Sequence, residues 1–594
     1  MKLLVPYIGE LQTADSRLTG LADFLGIDWK PIPLPKAAGY STAYLETAAS
    51  DPHSCLVIHP RVIDEWVNQD RLPAELASVL VSHFRYLLVH APRPEPFDAD
   101  LIAALSCGHL RSVEHVGCPA PPYKVSASSQ DVCGVFAGLT FGRANPVNDR
   151  VFSVGLRSPA ARELISLGGL PFMTMVKREE AEIFFLASQD VADLNSEVGD
   201  SPVAEHFSRL LPHAMALRYI FGEESWRPCS QYASVIVDDP PLRRNYGFLN
   251  FGSLLCLMEQ HHFHTSIAFI PHNCRRSSPA VARIVREHPD RFSLCFHGND
   301  HTDAEFASTD TVLLNTMLHL AERRMSIHRR LTDLDCDRVM VFPQGKFSTE
   351  AMAVLGARDF DAAVNTVPHP VQQPIRLTIR ELAQPAVLRY GFPLFLREDS
   401  VHTQCPDIAF NLFFGRPVFI VEHHHIFQRP EALVAAVSRV NATAPQIRWS
   451  SPASAVRDSL LWRRMPDGTY SIRAYSRTVR LSNDSGSPAR FRIEWNSAAG
   501  GAVHPRELLC DGTPCAGLNI SDVATTAIVD LQAGSSQTFA LVHQNNHGTL
   551  NDLGFRRTVG GFLRRRLSEV RDNYLSKSPA VLTAAVKLQK RLLR

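Results

Sequence analysis

Long hydrophobic runs are missing from this chain of 594 residues: the most apolar stretch, Leu412 to Val421, is broken by Gly415, Arg416 and Pro417. A spanning helix needs about 18 or more uninterrupted apolar residues, so no membrane crossing is expected. The start, MKLLVPYIGELQTAD, carries a short apolar run cut by Pro6 and followed by Glu10 and Asp15. That run is too short for a secretory core, and no signal peptide is expected. Paired cysteines are missing as well. The 12 cysteines show no CxxC or other paired spacing, a pattern of reduced core thiols in a cytoplasmic protein more than of a disulfide framework. Charge of one sign is lacking, since Lys+Arg 61 against Asp+Glu 60 leaves a net charge of +1, which argues against a nucleic-acid partner. Within residues 1 to 220 there is no GxGxxG after a strand, no GxxxxGK[ST] and no GxSxG, so nucleotide binding and a nucleophile elbow have no support there. No internal repeat or low-complexity tract is present.

What is there reads as a folded multidomain protein. The composition is 45% hydrophobic and 20% charged with 40 Pro, and at roughly 150 residues per domain the length suggests three or four units. Residues 1–220 alternate apolar runs (Leu3 to Ile8, Cys55 to His59, Tyr86 to His90, Val132 to Phe141, Glu182 to Leu186) with helical patterns such as 71–84, predicting an α/β domain of unread role. Asn195 to Pro202 reads as a linker and Val203 to Phe221 as a helix. Residues 221–440 alternate strand signals at Ser234–Val237, Thr265–Ile270, Phe292–Phe296, Val339–Phe342, Ala362–Val364 and Pro417–Val421 with helical patterns at 252–263, 278–288 and 311–331. That alternation predicts parallel strands with crossover helices. Residues 441–550 are β-rich and punctuated by turns such as Pro466-Asp467-Gly468, predicting a β-sandwich.

The end of the chain stands apart. Residues 555–594 hold eleven Lys/Arg against Glu569 and Asp572, a net +9, interleaved with Leu and Val. A basic amphipathic helical segment over 551–594 follows, with two open readings: peripheral contact with anionic membrane, or a tail docked on its own protein.

Two stretches carry chemistry. In Ser234-Val235-Ile236-Val237-Asp238-Asp239-Pro240-Pro241 an apolar strand stops at paired carboxylates, and the prolines forbid its continuation. In Phe292 to His301 a second apolar strand ends in His297-Gly298-Asn299-Asp300-His301. Two histidines four apart on an extended strand would stand about 13 Å apart. The Gly298-Asn299-Asp300 turn can bring them together. With a carboxylate they make a His/His/Asp set that leaves positions open on a divalent metal.

These residues resemble the NodB-type polysaccharide deacetylases, a family of carbohydrate esterases on a distorted (β/α) barrel. Asp238-Asp239 resembles its first motif, in which the first aspartate is the base and the second a metal ligand. His297 and His301 match its H-x-x-x-H motif. Val341-Phe342-Pro343-Gln344-Gly345 is similar to its Pro-x-Gly loop lining the site, with Val341 where the family carries an arginine. Ile420-Val421-Glu422-His423, continued by His424 and His425, resembles the last motif. The fourth motif has only Asn365-Thr366 as a candidate, and Arg275 or Arg276 is a candidate for the missing arginine.

The resemblance spans roughly residues 230–430. It implies one divalent ion, zinc first and cobalt, nickel or manganese as alternatives, held by Asp239, His297 and His301. It implies Asp238 as general base, Pro343 and Gly345 in the substrate site, and N-acyl hydrolysis of a carbohydrate such as a surface-polysaccharide precursor. Strand alternation puts His423 and His425 on one face, so His423, with His425 in reserve, is read as the acid. Two other readings stand beside this one: an inactive barrel acting as a carbohydrate-binding or scaffold protein, and a glycoside hydrolase using Asp238 and Glu422. His261, His262 and His264, the pairs Arg323-Arg324 and Arg329-Arg330, the aromatics Tyr246, Phe248 and Phe251, and Cys274 and Cys295 are read as structural.

Overall fold

The computed structural model describes residues 1–35, 54–67, 73–117, 119–198, 202–302, 304–496, 505–521 and 524–543. The basic segment read at 551–594 lies outside the described residues. The chain divides into two compact units, one of Met1–Arg227 with Leu377–Arg380 and Arg463–Asp467, the other of Pro228–Arg376, Glu381–Trp462 and the chain from Gly468 onward. The second unit holds both the region read as a barrel and the region read as a sandwich. No helix among the described residues is long and apolar enough to cross a membrane.

In the first unit the strands Trp29–Pro33, Leu3–Tyr7, Cys55–Ile58, Tyr86–Val89 and Ala181–Leu186 lie side by side and parallel. The sheet continues antiparallel through Leu170–Arg178, Ala161–Leu167 and Tyr123–Val125. Cys55–Ile58 is buried at every position, as a parallel strand covered on both faces requires. The run Val132–Phe141 is not a strand. Gln130–Cys133 is helical and Gly134–Phe136 a 3-10 turn, leaving only Thr140–Phe141 extended. Gly134 and Gly138 take positive φ, which interrupts the β run, while the Ser129 carbonyl accepts the Val132 and Cys133 amides and starts a helical turn instead.

The second unit is built on a closed barrel. Tyr232–Asp238, Thr265–Phe269, Phe292–His297, Asp337–Val341, Ala362–Asn365, Leu394–Asp399 and Val418–His423 pair in sequence order, all parallel, and the first strand pairs with both the second and the last. Helices cross between them, begun by side chains suited to the task. Asn250 Oδ1 accepts the Ser253 amide at 3.0 Å ahead of Phe251–His261, and Asp310 Oδ1 accepts the Val312 and Leu313 amides at 3.0 Å ahead of Thr311–Thr332. Strand Tyr232–Asp238 is buried along its whole length, so its polar last residue is carried into the interior at the C-terminal end of the barrel.

After the barrel, two sheets face each other. One runs Leu460–Arg464, Tyr470–Ala474, Ala489–Asn496, Ala524–Leu531, Leu518–Ile520, the other Thr478–Ser482, Ser536–His543, Pro505–Cys510, Thr513–Cys515. Ile472, Val479, Phe491, Ile493, Leu508 and Phe539 fill the layer between them. This is the expected β-sandwich, with Tyr470–Ala474 and Ala489–Asn496 paired parallel.

Candidate functional site

Asp238 ends the first barrel strand at 4% exposure, and Arg397 on Leu394–Asp399 grips it from across the barrel. The guanidinium donates to both carboxylate oxygens, at 2.7 Å each, in a bidentate pair. Burial pushes the Asp238 carboxyl up, but the charges of Arg397 and His297 and the Arg397 hydrogen bonds hold it below its ordinary value. This arginine was missed by sequence, and neither Arg275 nor Arg276 takes its place: Arg276 donates to Asn273 Oδ1 at 3.1 Å.

Asp239 follows at φ +83, in the left-handed region that a non-glycine residue rarely adopts. A continued strand would send it to the face opposite Asp238; the reversed φ turns it toward His297 instead. Its Oδ1 lies 3.5 Å from His297 Nε2 and 3.3 Å from His301 Nε2, and the two rings stand 5.0 Å apart. The three donor atoms lie within 4.8 Å of one another. The opposite nitrogen of His297, Nδ1, is 3.0 Å from the Val341 carbonyl. A proton on Nδ1 donated there leaves the Nε2 lone pair facing Asp239 and His301, as metal-binding imidazoles are oriented. Val341, where the family carries an arginine, therefore serves the site through its backbone.

The turn between the histidines is locked. Glu305, 2% exposed, accepts the amides of Asn299, Asp300 and His301 at 2.9, 3.2 and 3.2 Å. Its carboxyl is raised well above the ordinary range by burial and by Asp300, which hydrogen-bonds to it. Gly298 sits at φ +61, where a Cβ would lie 2.0 Å from Glu305 Oε1 and 2.5 Å from Pro343 Cγ. Arg324, expected on a solvated face, donates to Asn299 Oδ1 at 2.6 Å and to its carbonyl at 3.4 Å, while Arg323, Arg329 and Arg330 are exposed as expected. The helix Thr311–Thr332 simply passes close enough beneath the turn to lend one side chain.

Pro343 and Gly345 form a turn directly after Asp337–Val341, with Pro343 against Gly298. Asn365 braces that turn, donating to the Gly345 and Val367 carbonyls at 2.8 and 2.9 Å. His423 ends the last barrel strand in register with Asp238. His425 lies parallel to His423 with ring centres 5.8 Å apart. Partial burial and the neighbouring His423 and His424 lower the His425 pKa. His424 turns the other way, edge-on to Tyr246 at 5.2 Å and stacked near Phe248 at 6.4 Å. Glu422, in register with Val237, lies on the opposite face from Asp238 and accepts the Ser400 amide at 3.2 Å and its hydroxyl, which is not the facing pair a glycosidase needs.

The remaining candidates are structural. His264 is 1% exposed and pushed down to about 3 by burial, and Phe251 packs on Phe292 at 6.2 Å. Burial raises the Cys274 and Cys295 thiols, which makes them poor nucleophiles. The donor set of Asp239, His297 and His301 fits a divalent ion of the zinc or cobalt type: one carboxylate and two imidazoles, one of them already held by a carbonyl.

No family model matches the chain, and no curated protein sequence matches it. Among solved structures it is similar to the crystal structure of Agd3, described as a novel carbohydrate deacetylase, at 10% identity over 91% of this chain and 98% of that one, with a TM-score of 0.48. It is also similar to a family 4 carbohydrate esterase from Streptomyces lividans in complex with acetate, at 13% identity over 38% of this chain and 93% of that one, TM-score 0.22. A family 4 acetyl xylan esterase from Clostridium thermocellum in complex with a cobalt ion gives 9% identity over 38% of this chain and 90% of that one, TM-score 0.25.

Proposed function

We propose that the barrel mouth hydrolyses an N-acyl group, acetyl first, from a carbohydrate, using a divalent ion held by Asp239, His297 and His301. The observation that carries this reading is the pairing of that donor set with a second, arginine-clamped carboxylate one residue away. When bound, the ion supplies Lewis acidity, acidifying a water and polarising an acyl carbonyl. Asp238 receives the water's proton; the Arg397 clamp fixes its carboxylate and keeps it ionised at neutral pH. Departure of the amine needs a proton, and His423 gives it: it adjoins Asp238 in register at the end of the last barrel strand, whereas His425 lies beyond that strand in the following 3-10 turn. Pro343 and Gly345 shape the wall beside the histidine turn. The carbohydrate class rests on the motif resemblance, and a surface-polysaccharide precursor is the substrate proposed within it.

Metal content of the purified protein, set beside an Asp239→Ala, His297→Ala variant, tests the reading. The parent is expected to lose an equivalent of transition metal with these changes, and to release acetate from N-acetylated oligosaccharides only when loaded. No difference in metal between parent and variant after reconstitution with zinc, cobalt or manganese overturns it.

A further inference from the structure

A second cluster, in the first unit and independent of the barrel, combines the same side-chain types. Asp15 lies in the first turn of helix Thr13–Phe24, His59 directly after strand Cys55–Ile58, and His90 directly after strand Tyr86–Val89. Leu3–Tyr7, Cys55–Ile58 and Tyr86–Val89 are neighbours and parallel, so their ends bring the three residues to one edge. That carboxyl edge is where open parallel sheets place ligands.

The geometry is close to that of a bound ion. Asp15 Oδ2 is 3.0 Å from His59 Nδ1, and Oδ1 is 2.8 Å from His90 Nε2. The three donors lie within 4.8 Å of one another. Donors on a tetrahedral zinc with bonds of about 2.0–2.1 Å stand about 3.3 Å apart, so the two Asp15–histidine separations need open by only a few tenths of an ångström. Asp15 and His90 are fully buried and His59 is 8% exposed.

A plain hydrogen-bonded triad leaves other atoms unexplained. His213, on helix Pro202–Phe221, is fully buried with its ring 6.1 Å from that of His90, and neither of its nitrogens has a hydrogen-bond partner. An unsatisfied buried polar group costs about 1–3 kcal/mol, so an aqueous cavity or an apolar side chain would serve a purely structural core better. A cation at the triad would put a charge beside this otherwise unsatisfied ring.

We propose that Asp15, His59 and His90 form a second site for a divalent transition metal of the zinc or cobalt type, beside the buried ring of His213. The site is closed to solvent, which suits a structural ion that ties three strand ends together. Zinc stoichiometry on the full-length protein decides it. The parent is expected to hold one equivalent more than the barrel site accounts for, and Asp239→Asn, His297→Asn to keep that equivalent. Adding His59→Gln or Asp15→Asn then removes it, and chelation of the barrel variant lowers its melting temperature. Zinc lost entirely in the barrel variant, or an equivalent retained in all variants, overturns the second site. A parent with a single equivalent that survives the barrel substitutions supports this site and refutes the proposed function, so the two failures are distinguishable.

Discussion

Replacing Arg397 by Met isolates the electrostatics at the centre of the barrel. The methionine keeps the length of the side chain and removes the guanidinium that grips Asp238 from both oxygens at 2.7 Å. Both partners are 4% exposed, so solvent cannot take over the hydrogen bonds. Removing one member of a buried ion pair costs about 3–5 kcal/mol, because the other is left charged without compensation. That is a large part of a typical stability of about 5–15 kcal/mol. The pH dependence tests the cause. In the parent the folded carboxyl lies below its unfolded value of 3.8, so the pair stabilises fully above that value and is lost only as pH falls through the lower folded one. In the variant, burial, the largest influence, is opposed only by the charges of His297 and His423 and moves the carboxyl up, so folding takes up a proton and becomes relatively more favourable on acidification. The stability gap, read by urea unfolding followed by fluorescence, should therefore narrow between neutral and mildly acidic pH, and the acid limb of activity should move upward. Asp238→Asn added to Arg397→Met should recover most of the loss, since no charge remains to be buried. A cost below about 1 kcal/mol, the range of exposed pairs, with no pH dependence would refute the account of Asp238 as a compensated buried charge.

Other perturbations follow from the same geometry. Gly298→Ala places a methyl 2.0 Å from Glu305 Oε1 at a positive φ, so it should destabilise by about 1–3 kcal/mol and lower zinc affinity, measured by calorimetric titration. Glu305→Ala leaves three amides of the histidine turn without their acceptor, and should reduce metal affinity about 10- to 100-fold with the global fold, read by circular dichroism, retained. His264 is held near 3 against 6.5 unfolded, so it stabilises fully above 6.5 and this is lost as pH falls toward 3; His264→Leu should flatten the stability-versus-pH slope there by up to about 1.36 kcal/mol per pH unit. His423→Gln should lower kcat for N-acyl hydrolysis about 100-fold or more, whereas His424→Gln, on the opposite side of the turn, should mainly affect stability.

Much of the barrel was legible because its strands are short apolar runs that stop at polar residues. Val235-Ile236-Val237 before Asp238 and Leu294-Cys295-Phe296 before His297 announce both the element and the end at which its site residues stand. Leu394-Phe395-Leu396 before Arg397-Glu398-Asp399 has the same form, and reading it as a strand would have found the arginine that Val341 lacks. Three consecutive charges read more readily as surface, and only barrel closure shows that Arg397 faces Asp238. The runs ending at His59 and His90 carry that signal too, but Asp15 joins them from a helix, and nothing in the spacing of 15, 59 and 90 marks a cluster. Glu305 was beyond reach for another reason: it acts on backbone amides, which leave no pattern in side-chain identity.

Adjacent aspartates come to different duties here through backbone geometry. Asp238 completes a buried strand and meets a guanidinium, and its carboxyl is held low. Asp239 leaves the strand at φ +83, stays about one-fifth exposed, and meets two imidazoles. The clamp has a chemical cost, because a carboxylate held low is a weaker base than an ordinary one. It could still accept a proton from water made more acidic, which is the chemistry a cation held by Asp239, His297 and His301 would supply. In the proposed reaction the Arg397 pair and the donor set therefore require each other: the first fixes and ionises the acceptor, and the second compensates for the basicity that the first removes.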